Sequence, residues 1–316
     1  MAQEQKRLVF MGTPDFARTI LQHVLKWPGG DVVAVYTQPD RPCGRGRKIK
    51  CSPVKDLALE NDIKVFQPEN FKNDADVELL ASLKPDYLLV AAYGLILPQR
   101  VLDIAGVMPL NVHASLLPRY RGAAPIQKAI MNGELVTGVS IMRMTKGLDA
   151  GPVLLQRAMG IDISDTAGKL HDDLAWMGGE MLVEALEGFE NATLSLMEQD
   201  ESLATYAPKL TKKEGCIDWN QPAWNIHNQI RGLFPWPGSY FDWERPDGKN
   251  VKLQVFPGKV GPARPDNVAA GIIMGVEDDY LQIACADKIY LTPRVKPGNS
   301  KEMDARSFEC GFLSKC

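Results

Sequence analysis

Short apolar runs rich in β-branched residues recur through the first half of the chain, with helical periodicity between several of them. This alternation limits the fold more than any other feature. LVFMG (Leu8 to Gly12), DVVAVYT (Asp31 to Thr37), IKVF (Ile63 to Phe66), DYLLVAAYG (Asp86 to Gly94) and MPLNVH (Met108 to His113) read as strands. A helical pattern runs from Asp15 to Lys26, with Asp15 placed to favour its N-terminus. Another runs from Ser52 to Asp62, opened by an N-cap serine with proline behind it. Strand and helix in turn predict an α/β, Rossmann-like doubly wound and mostly parallel sheet. GVSIMRM (Gly138 to Met144) and GPVLLQRAMGI (Gly151 to Ile161) add two strands that are candidates to pair. A long helix from Thr166 to Gly188 closes the unit.

Beyond it the texture changes, which divides the chain into a first, Rossmann-like domain over 1–189, a linker over 190–213 and a second domain over 214–316. VKLQVF, AAGIIMGV, YLQIACA and KIYLTPRV are strand-like segments at turn spacing, the pattern of a small C-terminal OB-like β-barrel. FPWPGSYF (Phe234 to Phe241) reads as barrel core and turn. From Lys209 onward there are 15 Lys/Arg and 13 Asp/Glu, a net of +2, against 21 and 26 before it, a net of -5. The sign is that expected of a second domain that touches an anionic partner.

The totals exclude several classes. A net charge of -3 announces no polyanion partner by itself. The six cysteines form no C-x-x-C pair, so neither a disulfide framework nor a zinc site is expected, and reduced thiols suit a cytoplasmic protein. No apolar run approaches the length of a membrane span. MGTPDF has one glycine where a dinucleotide fingerprint needs G-x-G-x-x-G, and GRGRK lacks the ending of a P-loop. Nothing demands a partner subunit, so a monomer is expected.

The chemistry gathers in NVHASLLPRYRGAAPI (Asn111 to Ile126). Asn111 and His113 sit two apart at a strand end, so their side chains share a side if the strand stays extended. An open parallel sheet binds ligands at the C-terminal ends of its strands. An amide N–H there suits a developing oxyanion, and an imidazole handles a proton near neutral pH. Asp149, in KGLDAGP, is the leading group to orient the histidine.

Together with FMGTPDFA, YTQPDRPCGRGRKIKCSPVK, AAYGLILP, SLLPRYRGAAPIQ, TGVSIMRM, GLDAGPVL and DTAGKLHDDLA, in that order, these residues resemble the 10-formyltetrahydrofolate-dependent formyltransferase superfamily. Within it the chain is similar to the branch whose acceptor is methionine carried on initiator tRNA, which serves translation initiation. The resemblance covers nearly the whole chain and is looser in the second domain. It departs at Ala114, where glycine is usual, and at Tyr120, where tryptophan is common. It implies attack by the amine of the aminoacyl group on the formyl carbon, with Asn111, His113 and Asp149 catalytic and no metal. It also implies a folate slot along Ser115, Leu116, Leu117 and Pro118, with the backbone of Ile96 and Leu97 at the pteridine edge. A cis Leu117–Pro118 bond would follow the related folds.

The acceptor rests on a second segment. Arg41, Arg45, Arg47, Lys48 and Lys50 fall within ten positions that hold no acidic residue. Pro39, Pro42, Gly44 and Gly46 exclude an ordinary helix or central strand, so the segment reads as a long basic loop. Solvated charge is the ordinary reading of such a run. The functional reading is a clamp on tRNA phosphates, which matches the insertion of the tRNA-directed branch and favours Arg45 for a decisive role. Lys209, Lys212 and Lys213 are further candidates for the tRNA backbone. An enzyme acting on a small amine, such as an amino sugar nucleotide, explains the loop around His113 equally well but leaves the basic segment idle.

Overall fold

The computed structural model describes residues 5–43, 48–245 and 248–313. By backbone proximity the chain forms two units, one of Met1–Gly122, Thr137–Met159 and His171–Tyr206, the other of Ala123–Val136, Gly160–Leu170 and Ala207–Cys316.

The first unit is built on β1 (Lys6–Gly12), β2 (Gly30–Tyr36), β3 (Arg41–Cys43), β4 (Lys48–Lys50), β5 (Val65–Phe66), β6 (Tyr87–Ala91), β7 (Met108–His113), β8 (Arg121–Gly122), β9 (Val136–Arg143) and β10 (Val153–Gly160). Seven of these form one sheet in the order β10-β9-β7-β6-β1-β2-β5. β1 is parallel to β2 and β6, β2 to β5, and β6 to β7, while β9 runs antiparallel to β7. The chain winds outward from β1 through β2 to β5, then returns to the other side of β1 with β6. The order therefore reverses between β1 and β6, where a doubly wound sheet opens its ligand crevice.

Helices α1 (Asp15–Val24), α2 (Pro53–Glu60), α3 (Asp74–Ser82), α4 (Gln99–Leu102), α5 (Pro125–Met131) and α6 (Ala167–Glu190) follow the strands, α5 belonging to the second unit. α1 turns Phe16, Ala17, Ile20, Leu21 and Val24 inward at helical spacing. Ser52 caps α2 by accepting the Lys55 N–H, with Pro53 at the first helical position. One face of the sheet buries Val9, Met11, Ala34, Tyr36, Leu88 and Val90 with Phe71 and Leu80. Each Val, Leu or Met side chain among them contributes roughly 1.5–3 kcal/mol on leaving water.

The single glycine of MGTPDF has a packing reason. A Cβ at Gly12 would lie 2.5 Å from the Ala17 Cβ and 2.9 Å from the Ala91 carbonyl oxygen, so α1 and β6 both press on this position. Gly12→Ala is expected to lower unfolding stability by about 1–3 kcal/mol through overpacking. A urea denaturation midpoint equal to that of the unaltered protein would rule this out.

The basic segment is not loop throughout. β3 and β4 pair antiparallel, with Arg41 opposite Lys50 and Cys43 opposite Lys48. They form a two-stranded stem apart from the main sheet. Pro42 is tolerated because the stem is all edge. The stem is anchored at both ends. Lys55 Nζ donates to Asp40 at 2.6 Å and to Gln67 at 2.8 Å, and the hydroxyls of Thr37 and Ser52 meet at 2.7 Å. The Lys55 hydrogen bond, with that of Gln67, holds the Asp40 carboxyl below its ordinary range.

The second unit carries α7 (Ala223–Gly232) and α8 (Ala305–Phe308) beside two four-stranded sheets. After β11 (Tyr206–Ala207), one sheet holds β12 (Ser239–Glu244), β13 (Asn250–Val255), β18 (Arg294–Pro297) and β19 (Met303–Asp304). The other holds β14 (Lys259–Ala263), β17 (Lys288–Thr292), β16 (Tyr280–Ala284) and β15 (Ile273–Glu277). Their pairing is antiparallel. Both sheets contribute to one core around Trp219, Phe241, Leu253, Leu281, Ile283, Tyr290 and Val295. This is the small β domain that the turn spacing predicts. FPWPGSYF is split in role, because Phe241 is buried while Trp236 is 57% exposed.

Candidate active site

β7 delivers the first two candidate groups. Its residues are buried except Asn111, which is half-buried, and His113 is 5% exposed. Among the described residues the Asn111 amide has no hydrogen-bond partner, so its donors are available to a ligand. Asp149 arrives by another route. β9 is antiparallel to β7, with His113 opposite Ser140 and Leu110 opposite Arg143, so the end of β9 leads away from His113. The loop after it must turn back, and Asp149 does so in the left-handed region at φ 48°. An aspartate tolerates that conformation better than most residues.

The outcome is a tight cluster. His113 Nδ1 lies 3.7 Å from Asp149 Oδ2, with both side chains largely buried. His113 Nε2 lies 3.1 Å from the carbonyl oxygen of Tyr120. A carbonyl only accepts, so Nε2 carries the hydrogen and Nδ1 is left as the nitrogen that can gain or lose a proton. Asp149 Oδ2 also accepts the Gly122 N–H at 2.8 Å. Tyr120, the atypical position, is likewise left-handed at φ 61°. Ala114 is not among the positive-φ residues, so a side chain is tolerated where the resemblance expects glycine.

The turn after β7 is held internally. Leu117–Pro118 is cis. The Ser140 hydroxyl donates to Ser115 O at 2.6 Å and accepts from Leu117 N at 3.1 Å, and Gln156 Nε2 donates to Leu117 O at 2.8 Å. Ser115 and Leu117 are buried, and Ser115 Oγ is spent on Arg119 O, so Leu116 and Pro118 present more of their surface to a ligand. The turn after β6 lies alongside, because β6 and β7 are parallel neighbours. There Tyr93 O accepts from Thr13 Oγ1 at 3.0 Å and Gln38 Nε2 at 3.1 Å, tying together the segments that follow β1, β2 and β6. Ile96 is 92% exposed while Leu97 anchors into the core. Among the described residues neither makes a backbone hydrogen bond, which leaves an unpaired peptide edge at the crevice.

The tRNA candidates are scattered. Arg41 is exposed on β3, Lys48 and Lys50 lie on the β4 backbone, and Arg45 and Arg47 fall outside the described residues. Lys209, Lys212 and Lys213 are exposed in the second unit. Among the described residues, no three His, Cys, Asp or Glu side chains gather to hold a metal ion, and no helix is long and apolar enough to cross a membrane.

Several supporting residues escape sequence reasoning: Ser140, Gln156, Gln199, Thr205 and the Tyr120 carbonyl. Ser140 and Gln156 left a signal, since each is a polar residue inside an apolar strand run. The others left none.

The Formyl transferase family matches residues 6–186, and the C-terminal domain of formyl transferases matches residues 209–313. A methionyl-tRNA formyltransferase of Nitratidesulfovibrio vulgaris (strain DP4) is 53% identical over 310 residues, 98% of this chain and 94% of that protein. A methionyl-tRNA formyltransferase of Pseudomonas fluorescens (strain Pf-5) is 46% identical over 301 residues, 95% of this chain and 92% of that one. Among solved structures, an N-formyltransferase from Helicobacter canadensis, in complex with folinic acid and dTDP-3-aminofucose, superposes with a TM-score of 0.65 at 19% identity. That match covers 92% of this chain and 99% of the other. HypX from Aquifex aeolicus in complex with tetrahydrofolic acid superposes at 0.64 and 18% identity, covering 98% of this chain and 48% of HypX. At such identities the likeness is one of fold.

Proposed function

The chain belongs to the formyl transferase family, and from that premise we propose that it moves the formyl group of 10-formyltetrahydrofolate to the α-amine of methionine on initiator methionyl-tRNA. The observation that carries the chemistry is the His113–Asp149 pair, with Nδ1 freed for proton transfer by the Tyr120 carbonyl and Asn111 on the same strand.

The donor is a substrate with a hydrogen-bonding heterocycle. The open peptide edge at Ile96 and Leu97, in the turn after β6, suits such a ring. The acceptor amine has an ordinary pKa near 7.7–8.0, so much of it is protonated at neutral pH and must lose a proton to attack. His113 Nδ1, with Asp149 to balance the imidazolium charge, receives that proton. The amine nitrogen bonds to the formyl carbon, and the carbonyl oxygen takes up negative charge facing the Asn111 amide. Collapse breaks the bond to the donor nitrogen, which accepts a proton as it leaves. The products are the N-formyl amine and tetrahydrofolate.

Close relatives that act on methionyl-tRNA and the basic stem at Arg41 to Lys50 support the macromolecular acceptor. Lys209, Lys212 and Lys213 add exposed positive charge for the tRNA backbone. We place the reaction in the cytoplasm and expect a monomer. Incubation with 10-formyltetrahydrofolate and methionyl-tRNA, with an amino sugar nucleotide in a parallel reaction, tests the acceptor. Formyl appearing on the sugar amine and not on methionine overturns the proposal.

Replacing Arg45 and Arg47 together with glutamine is expected to weaken methionyl-tRNA use. The slope of log affinity against log salt should fall by about 1 to 2, near the counterion release of two phosphate contacts. Filter-binding titrations across salt measure this, and an unchanged slope removes both residues from the interface.

A further inference from the structure

We propose that the strap from Met197 to Tyr206 is a positioning device for the active site, with Gln199 as its central residue. This rests on the catalytic reading of His113 and Asp149 given above. The strap falls between the ranges matched by the two family domains, 6–186 and 209–313, and its sequence has the weak periodicity of a connector.

Its hydrogen bonds are not those of a connector. Met197 and Val153 exchange both backbone bonds at 2.8 Å, which fixes the strap beside the start of β10. Two residues on, Gln199 Nε2 donates to the carbonyls of Asp149 at 2.8 Å and Gly151 at 2.7 Å. One side-chain amide thereby holds the loop that keeps Asp149 left-handed. The other end of the same amide accepts from Arg121, at 3.2 Å from Nε and 2.8 Å from Nη2. Arg121 is 2% exposed, and Glu201 grips it with two further bonds at 2.9 and 2.7 Å. At the far end Thr205 Oγ1 accepts the Tyr120 N–H and Thr205 O accepts the Arg121 N–H, both at 2.8 Å.

The consequence is geometric. The two groups that set the state of His113 are the Asp149 carboxylate and the Tyr120 carbonyl. They sit on separate loops, each in a left-handed conformation that a non-glycine residue keeps only when its surroundings hold it. Gln199 fastens the first loop and, through Arg121, joins it to the second, while Thr205 fastens the second directly. The strap thus fixes the distance between the two partners of one imidazole. Gln199 touches no reacting atom. It acts through Asp149.

The test uses the full-length enzyme with Gln199→Met, which removes both ends of the amide, and Gln199→Glu, which keeps an acceptor for Arg121 and removes the two donated bonds. The Glu variant carries the test if the Met variant does not fold. Each is expected to lower kcat by about 100-fold, the cost of a roughly 1 Å misplacement. KM for methionyl-tRNA and for the formyl donor should stay within about threefold of wild type, because neither substrate site is touched. A double-mutant cycle with Asp149→Asn separates positioning from general weakening. On the Asp149→Asn background the Gln199 substitution should cost less than about threefold. An unchanged kcat in the foldable variants overturns the proposal, and so does an equal loss on both backgrounds. If Asp149→Asn alone turns over at the wild-type rate, the catalytic reading itself fails and takes this inference with it.

Discussion

Replacing His113 with alanine should lower formyl transfer to methionyl-tRNA by about a thousandfold, within the range for loss of a positioned general base. The reason lies in how few roles the ring has. Its Nε2–H is committed to the Tyr120 carbonyl, so Nδ1 alone exchanges protons, and it faces the Asp149 carboxylate. Alanine removes the imidazole that takes the amine's proton in the proposed reaction. It also leaves Asp149 without its imidazole neighbour, although Gly122 still donates to Oδ2. The fold should survive, since β7 keeps its backbone pairing with β6 and β9. Steady-state kinetics, with melting and tRNA binding measured on the same preparation, make the comparison. Turnover within tenfold of wild type, in protein that melts normally, rejects His113 as the proton acceptor.

Replacing Asn111 with alanine should cost about 100- to 1000-fold in kcat, the usual loss when one oxyanion donor is removed. The expected pattern differs from that of His113. The Asn111 amide has no partner among the described residues, so its removal breaks no internal bond and should leave stability nearly unchanged. The donor is needed most when the carbonyl oxygen carries charge, so kcat should fall with little change in KM. A rise in KM at constant kcat would instead assign Asn111 to ground-state binding and leave the oxyanion to another group.

The sequence went furthest where one short-range pattern sufficed. Val9, Ala34 and Leu88 are buried because each strand run is apolar on both faces, as a parallel sheet covered by helices requires. Ser52–Pro53 opens α2 because a cap and its following proline act within one turn. Asn111 and His113 were legible as a pair because alternation along a strand is local geometry. Other features needed the neighbours. The prolines and glycines of the basic segment predict a loop, yet Arg41 to Cys43 and Lys48 to Lys50 pair into a stem. Within FPWPGSYF only the tertiary structure separates the buried Phe241 from Trp236, which stands exposed in the turn.

By itself, then, the sequence determined the alternating α/β layout, the small β domain after it and the placing of Asn111 and His113 together at a strand end, because these follow from periodicity and residue identity over a few positions. Only the tertiary structure decided which nitrogen of His113 meets the Tyr120 carbonyl, how Asp149 returns from the end of an antiparallel strand, and that Gln199, 50 residues from Asp149 along the chain, fastens the loop that carries it. Those are contacts between distant segments, selected by the packing of the whole unit, and no local run of residues encodes them.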